Sequence, residues 1–287
     1  MSAFGQAVRN MPPVTKNLII ICIIIFVAGM VPQIGNNLMT YCSLHYFEAS
    51  DFNLVQTITY MFMHAGIWHL LGNMLWLYWF GKLFLYFFSA KHLRGLYVVG
   101  GLLGGLLYIV AYNIFPIFNS QLYSATLVGA SASVLAIAIA TAVREPEYRI
   151  NLMFVGAVRL KYFALFIVLF DFLYVGSNNA GGHIAHLGGA LAGWWFARGI
   201  SQGYDITSWV NACIDFLGGL FVKRQRKPRK PKMKVHVNNA RTADYDYNAN
   251  KKAQTDEIDR ILEKLKKSGY SSLSDEEKRK LFEASKR

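Results

Sequence analysis

Apolar residues fill the first three quarters of the chain in runs near 20 residues, separated by short polar or glycine-containing stretches. A helix needs about 20 apolar residues to cross a bilayer, with a range of about 17–25. Runs near that length fall at about 17–35, 66–86, 95–116, 127–144, 160–177 and 183–201. The pattern predicts an all-α membrane bundle of six transmembrane helices. A further apolar stretch, about 204–221, contains Asp205, Asn211 and Asp215 and reads as an interfacial amphipathic helix rather than a seventh span. The first run has no small-residue cleavage site before the next polar stretch, so it reads as a spanning helix and not as a signal peptide.

After Lys223 the pattern changes. The chain becomes rich in Pro and Lys, then in Asn and Asp from about 237 to 250, which is linker composition. Ile258, Ile261, Leu262 and Leu265 then recur at helical spacing, and Gly269 is placed to stop that helix. Ser274 followed by Asp275, Glu276 and Glu277 predicts an N-cap and an acidic first turn of a second helix. The expected division is a membrane domain at 1–203, an interfacial helix at 204–221, a basic and polar linker at 222–253, and a small helical cytoplasmic tail at 254–287.

Charge refines this picture. The chain is 54% hydrophobic and only 16% charged, against about 25% charged in ordinary soluble domains. Its net charge of +13 is mostly a property of the tail, because residues 222–287 hold 20 of the 30 Lys and Arg. Basic residues just beyond a last span fit an anchor against anionic membrane lipid better than a nucleic-acid surface. In the short connections, Lys and Arg gather on one side of a six-span bundle. They are Arg9 and Lys16 before the first run, Lys82, Lys91 and Arg94 after the second, and Arg144, Arg149, Arg159 and Lys161 after the fourth. Arg198 and the cluster from Lys223 to Lys234 follow the sixth. The first, third and fifth connections carry no basic residue. That asymmetry predicts an integral protein of the cell (inner) membrane with both termini in the cytoplasm. Cys22, Cys42 and Cys213 are odd in number and far apart, so they imply neither a disulfide framework nor a metal spacing.

Polar groups inside apolar spans are expensive, so each is a candidate site. The second run opens with His64, His69 and Asn73, the fourth with Gly129, Ser131 and Ser133, and the sixth with His183 and His186. All three runs point from outside to inside, which places these entries at similar depth near the external helix ends. Ser131 can serve as a nucleophile and His186 as its base near neutral pH. His69 and Asn73, four apart, share a helix face and can donate to an oxyanion, as can free N–H groups at a helix N-terminus. His64 is less well placed for that face. Gly129 leaves Ser131 accessible. Gly189 and Gly193 form a small-residue GxxxG that lets helices approach closely. Ser133 faces elsewhere and reads as packing. Asp171, within the fifth run, reads as a structural hydrogen-bonding group, and His183 as a loop or cap residue. A zinc site joining the four histidines is conceivable by ligand type, but no HExxH sequence or acidic partner accompanies them.

The segments HAGIWHLLGN, GASA and AHLGGALAG, in that order on the second, fourth and sixth runs, resemble the three signature regions of the rhomboid family of intramembrane serine proteases. The resemblance covers about residues 15–200. It implies Ser131 as nucleophile, His186 as base, and His69 and Asn73 as oxyanion donors, with transmembrane proteins as substrates and no metal or organic cofactor. It also implies a dyad without an acidic member, in keeping with the expectation of no acidic residue near the external helix ends. Three positions depart from the family pattern. Ala132 follows the nucleophile where Gly is common, Leu135 stands where some members carry an aromatic ring, and the first loop lacks the Trp-Arg pair of some members. A catalytically inactive rhomboid-like protein that binds membrane helices is the alternative. A transporter would call for more intramembrane charge than Asp171 supplies. The sequence leaves substrate and oligomeric state open.

Overall fold

The computed structural model describes residues 9–152, 155–177, 179–221 and 240–285. The cluster from Lys223 to Lys234 and the expected linker up to residue 239 lie outside them. The described chain is mostly helical and forms two compact units, Met1–Lys223 and Arg224–Arg287.

In the first unit, α1 (Pro13–Gly29) opens with proline in its first turn, where the missing N–H costs nothing. Pro32 cannot continue a helix, so the expected run to residue 35 breaks after Gly29 and restarts as α2 (Pro32–Cys42). A short α3 (Gln56–Thr59) and a 3-10 turn, Tyr60–Phe62, lead to α4 (Ile67–Phe84). The long α5 (Ala90–Ile114) starts at a capping box. Ser89 Oγ accepts from the His92 N–H at 3.2 Å, and the Ser89 N–H reaches His92 Nδ1 at 3.5 Å. Then follow α6 (Ser131–Arg144), α7 (Leu160–Leu173), α8 (Ala180–Ser201) and α9 (Ser208–Phe221).

Two small antiparallel sheets qualify the all-α expectation. β1 (Leu44–His45) pairs with β2 (Thr126–Leu127) in the register Leu44 to Leu127. This ties the chain after α2 to the segment that delivers α6. β3 (Arg149–Leu152) and β4 (Gly156–Arg159) form a hairpin between α6 and α7.

The centre of the unit is α6, whose residues from Ala132 to Ala142 are all buried. Its small side chains let α4, α5, α7 and α8 pack around it. The outer faces are apolar as well: Ile20, Ile24 and Val27 on α1, and Leu165, Phe166, Leu169 and Phe172 on α7, are exposed. Contiguous exposed apolar faces of this kind suit lipid and are rare on soluble monomers. Among the described residues, one helix, Ala90–Ile114, is both long and apolar enough to cross a membrane; Pro13–Gly29 and Ser131–Arg144 are apolar but shorter.

The second unit contains α10 (Ala240–Ser268) and α11 (Asp275–Ser285). The first begins well before the expected residue 254. Asn and Asp cost at most about 0.7 kcal/mol each relative to Ala, too little to stop elongation from an established helix. Gly269, at φ 74°, ends it. Ser274 caps α11, with Oγ accepting from the Glu277 N–H at 3.3 Å and its own N–H donating to the Glu277 carboxylate at 2.7 Å. That backbone bond, with Lys264 beside it, holds the Glu277 carboxyl below its ordinary range.

Candidate active site

The site is assembled around the turn that introduces α6. Gly129 adopts φ +130°, which side-chain-bearing residues rarely do, and its N–H donates to the Tyr60 carbonyl at 3.0 Å. Tyr60 is held in turn by α5, with its hydroxyl donating to the Gly101 carbonyl at 2.6 Å. The turn leaves Ser131 as the first residue of α6, where backbone N–H groups have no acceptor within the helix. Gly129 has a second role. A Cβ there would stand 2.9 Å from Cε1 and Nε2 of His69 and 3.6 Å from Ser131 Oγ. The missing side chain is the space that lets the His69 ring lie against the Ser131 turn.

A cavity of about 150 Å³ connects the pieces. Asn73 and Trp76 of α4, Ser131 and Leu135 of α6, Ile167 of α7 and His186 of α8 all line it. The walls are mostly apolar, and Trp76 stacks on Phe80 and Phe163 at 5.4 and 5.5 Å. Ser131, Asn73 and His186 therefore meet, though they come from three helices. Among the described residues the Ser131 hydroxyl makes no hydrogen bond to His186. Catalytic hydrogen bonds often tighten only once substrate is bound.

On α4, the Asn73 amide donates to the His69 carbonyl at 2.9 Å, which uses one of its two N–H bonds and leaves the other. His69 Nδ1 is 3.5 Å from the Ala65 N–H. His64 lies outside the cavity lining. Its ring meets His69 edge-on at 5.2 Å, and among the described residues both its nitrogens are buried without a hydrogen-bond partner. Ser133 is fully buried, with Oγ 4.0 Å from Met61 Sδ, away from the cavity.

The packing of α6 against α8 sets the distance between Ser131 and His186. A Cβ on Gly189 would collide with the Ala132 carbonyl, and one on Gly193 with the Ala136 carbonyl, so backbone meets backbone at both positions.

One expectation from the sequence is overturned here. An acidic residue does stand at the site: Asp171 Oδ1 is 2.8 Å from Nδ1 of His186 and 2.8 Å from Nδ1 of His183. The expected fifth run extended to residue 177, which put Asp171 deep within it. The helix stops at Leu173, so Asp171 occupies its last turn. His183, expected as a loop or cap residue, is on the first turn of α8 and bonded to that carboxylate. The signal in the sequence was Asp171 itself, the one acidic residue in the six apolar runs, four positions from Ile167 and eight from Phe163. Asp171, His183 and His186 present ligand atoms within 4.8 Å of one another, so the acidic partner that a metal-binding set lacked in the sequence is present.

The family model for the rhomboid domain matches residues 51–203, and a family of unknown function, DUF6576, matches residues 241–287. Rhomboid-like protein 12, a mitochondrial protein of Arabidopsis thaliana, is 30% identical over 165 residues, which cover 54% of this chain and 48% of that protein. The chain thus spans about half the length of this relative.

Proposed function

This chain belongs to the rhomboid family and is a membrane protein on that ground, and from this premise we propose that it is an intramembrane serine endopeptidase. The observation that carries the reading is the meeting of Ser131, Asn73 and His186 on one cavity from three helices distant in sequence. On this reading, His186 takes the Ser131 proton as Oγ attacks the substrate carbonyl. The Asn73 amide, the His69 ring and the free N–H groups at the start of α6 hold the oxyanion. His186 then protonates the leaving amine, and water hydrolyses the acyl-enzyme. The substrates are transmembrane proteins, and membrane lipid is the surrounding partner. The six spans are α1, α4, α5, α6, α7 and α8, with both termini cytoplasmic and the site near the external face of a cell membrane. With 14 residues, α6 is only about 21 Å long. A bilayer accommodates so short a segment by local thinning.

A second reading is a protein that captures membrane helices without cutting them. The lack of a hydrogen bond between Ser131 and His186 is the observation that favours it. A serine-directed fluorophosphonate separates the two: labelling at Ser131 that His186→Ala abolishes supports the protease, and no labelling of the folded wild type supports the binder.

A further inference from the structure

Resting on the protease reading, we propose that Asp171 is a positioning residue that fixes the tautomer and orientation of His186, with His183 as a second donor to the same carboxylate.

Asp171 is 2% exposed, on a helix whose neighbouring side chains Phe172 and Leu173 are 67% and 76% exposed. Phe163, Ile167 and Asp171 recur every four residues and form the inward stripe of α7. A carboxylate at such a position is costly in an apolar span unless it is paired. Helix packing alone would be served by an apolar residue. Among the described residues no other side chain or N–H bonds it: Oδ1 takes both imidazoles, and Oδ2 is buried without a partner. The carboxylate is thus committed to the two histidines.

The atoms involved carry the argument. An ionised carboxylate only accepts, so Nδ1 of each ring must bear its proton. For a neutral His186, that leaves the Nε2 lone pair free on a ring that lines the cavity with Ser131. This is the tautomer that a base toward Ser131 requires. When Ser131 gives up its proton, Nε2 receives it, and the carboxylate stabilises the imidazolium without itself being protonated. His183, one turn before His186, is flanked by the rings of Phe170 and Tyr174 at 6.1 and 5.9 Å. Its fixed position pins the carboxylate from the other side. The hydrogen-bonded arrangement also fits the distances better than a metal would. Tetrahedral zinc ligands with bonds of about 2.0–2.1 Å lie roughly 3.3 Å apart, and the Asp171 oxygen is only 2.8 Å from each histidine Nδ1.

The experiment combines kinetics with ¹⁵N-histidine NMR of the full chain in detergent, the His186 signals being identified by their loss in His186→Ala. Wild type is expected to show His186 protonated at Nδ1. In Asp171→Asn that signature is lost, and kcat on a transmembrane reporter falls roughly 10²–10⁴-fold with KM little changed. His183→Asn, which keeps a donor near the Nδ1 position, is expected to lose less kcat than His183→Ala; this pair carries the test if Asp171→Asn does not fold. A wild type that cuts while Asp171→Asn cuts within about threefold overturns the positioning role and leaves the protease reading intact. A wild type that neither cuts nor labels at Ser131 overturns the protease reading itself. Activity lost to a chelator and restored by zinc would assign the three residues to a metal and overturn the proposal.

Discussion

Gly189→Ala tests the link between helix packing and chemistry. The added methyl would overlap the Ala132 carbonyl, whose carbon and Cα are also within 3 Å of it. All these atoms belong to backbone, so no side chain can rotate away. Reaching an ordinary contact of 3.4 Å requires α8 to retreat from α6 by roughly 1 Å. Overpacking of this kind costs about 1–3 kcal/mol. The chemical consequence is larger. His186 is one turn before Gly189 on α8, and Ser131 immediately precedes Ala132 on α6, so the retreat falls directly on the pair. A displacement of about 1 Å between reacting groups costs on the order of 10²-fold in rate. Gly72→Ala is the control, since a Cβ on Gly72 meets nothing within 4 Å. Unfolding by denaturing detergent measures the stability change, and reporter cleavage measures the rate. The expected outcome is a measurable destabilisation and a roughly 100-fold loss of kcat for Gly189→Ala, with neither for Gly72→Ala. A Gly189→Ala protein that unfolds and cleaves like wild type would refute the close-approach argument.

Other outcomes follow from the same geometry. Gly129→Ala forces a side chain into a φ of +130° and against the His69 ring, so cleavage falls steeply, and with it fluorophosphonate labelling of Ser131. On the proposed mechanism Asn73→Ala removes an oxyanion donor and lowers kcat by about 10²–10³-fold with a smaller effect on KM, which separates an oxyanion role from substrate binding. Lys91, first, and Arg94 hold the Asp215 carboxyl below its ordinary range. A lowered carboxylate contributes stability above its unfolded value and loses it as pH falls through the folded value. The ion pairs of Asp215 with Lys91 and Arg94 therefore persist through the range in which a free aspartate titrates and are lost only below it, as followed by NMR titration of the Asp215 carboxyl against Asp215→Asn.

Much of the candidate site was legible because its polar residues sit on unlike backgrounds. Ser131, His186, His69 and Asn73 are polar residues at the entries of apolar runs, and hydropathy alone exposes them. The longer helices of the first unit, α1 and α4 to α9, were legible for the same reason, although their ends were not, and the short α2 and α3 were not. Pro32 and the stop of α7 at Leu173 moved two boundaries, and the second move carried Asp171 into the site. Hydropathy counts an aspartate as a flaw in a span; only the four-residue spacing from Phe163 through Ile167 indicates the face it takes. The pairing of Leu44 with Leu127 was out of reach, since two-residue strands have no periodicity to read. The early start of α10 was hidden because Asn and Asp weaken a helix without forbidding it.

The most direct measurement is cleavage of a reporter bearing a helix-destabilised transmembrane segment, in liposomes, by the wild-type protein and by Ser131→Ala and His186→Ala. Cleavage by wild type and loss in both variants is the predicted result. Equal cleavage by all three proteins would contradict the assignment of Ser131 and His186.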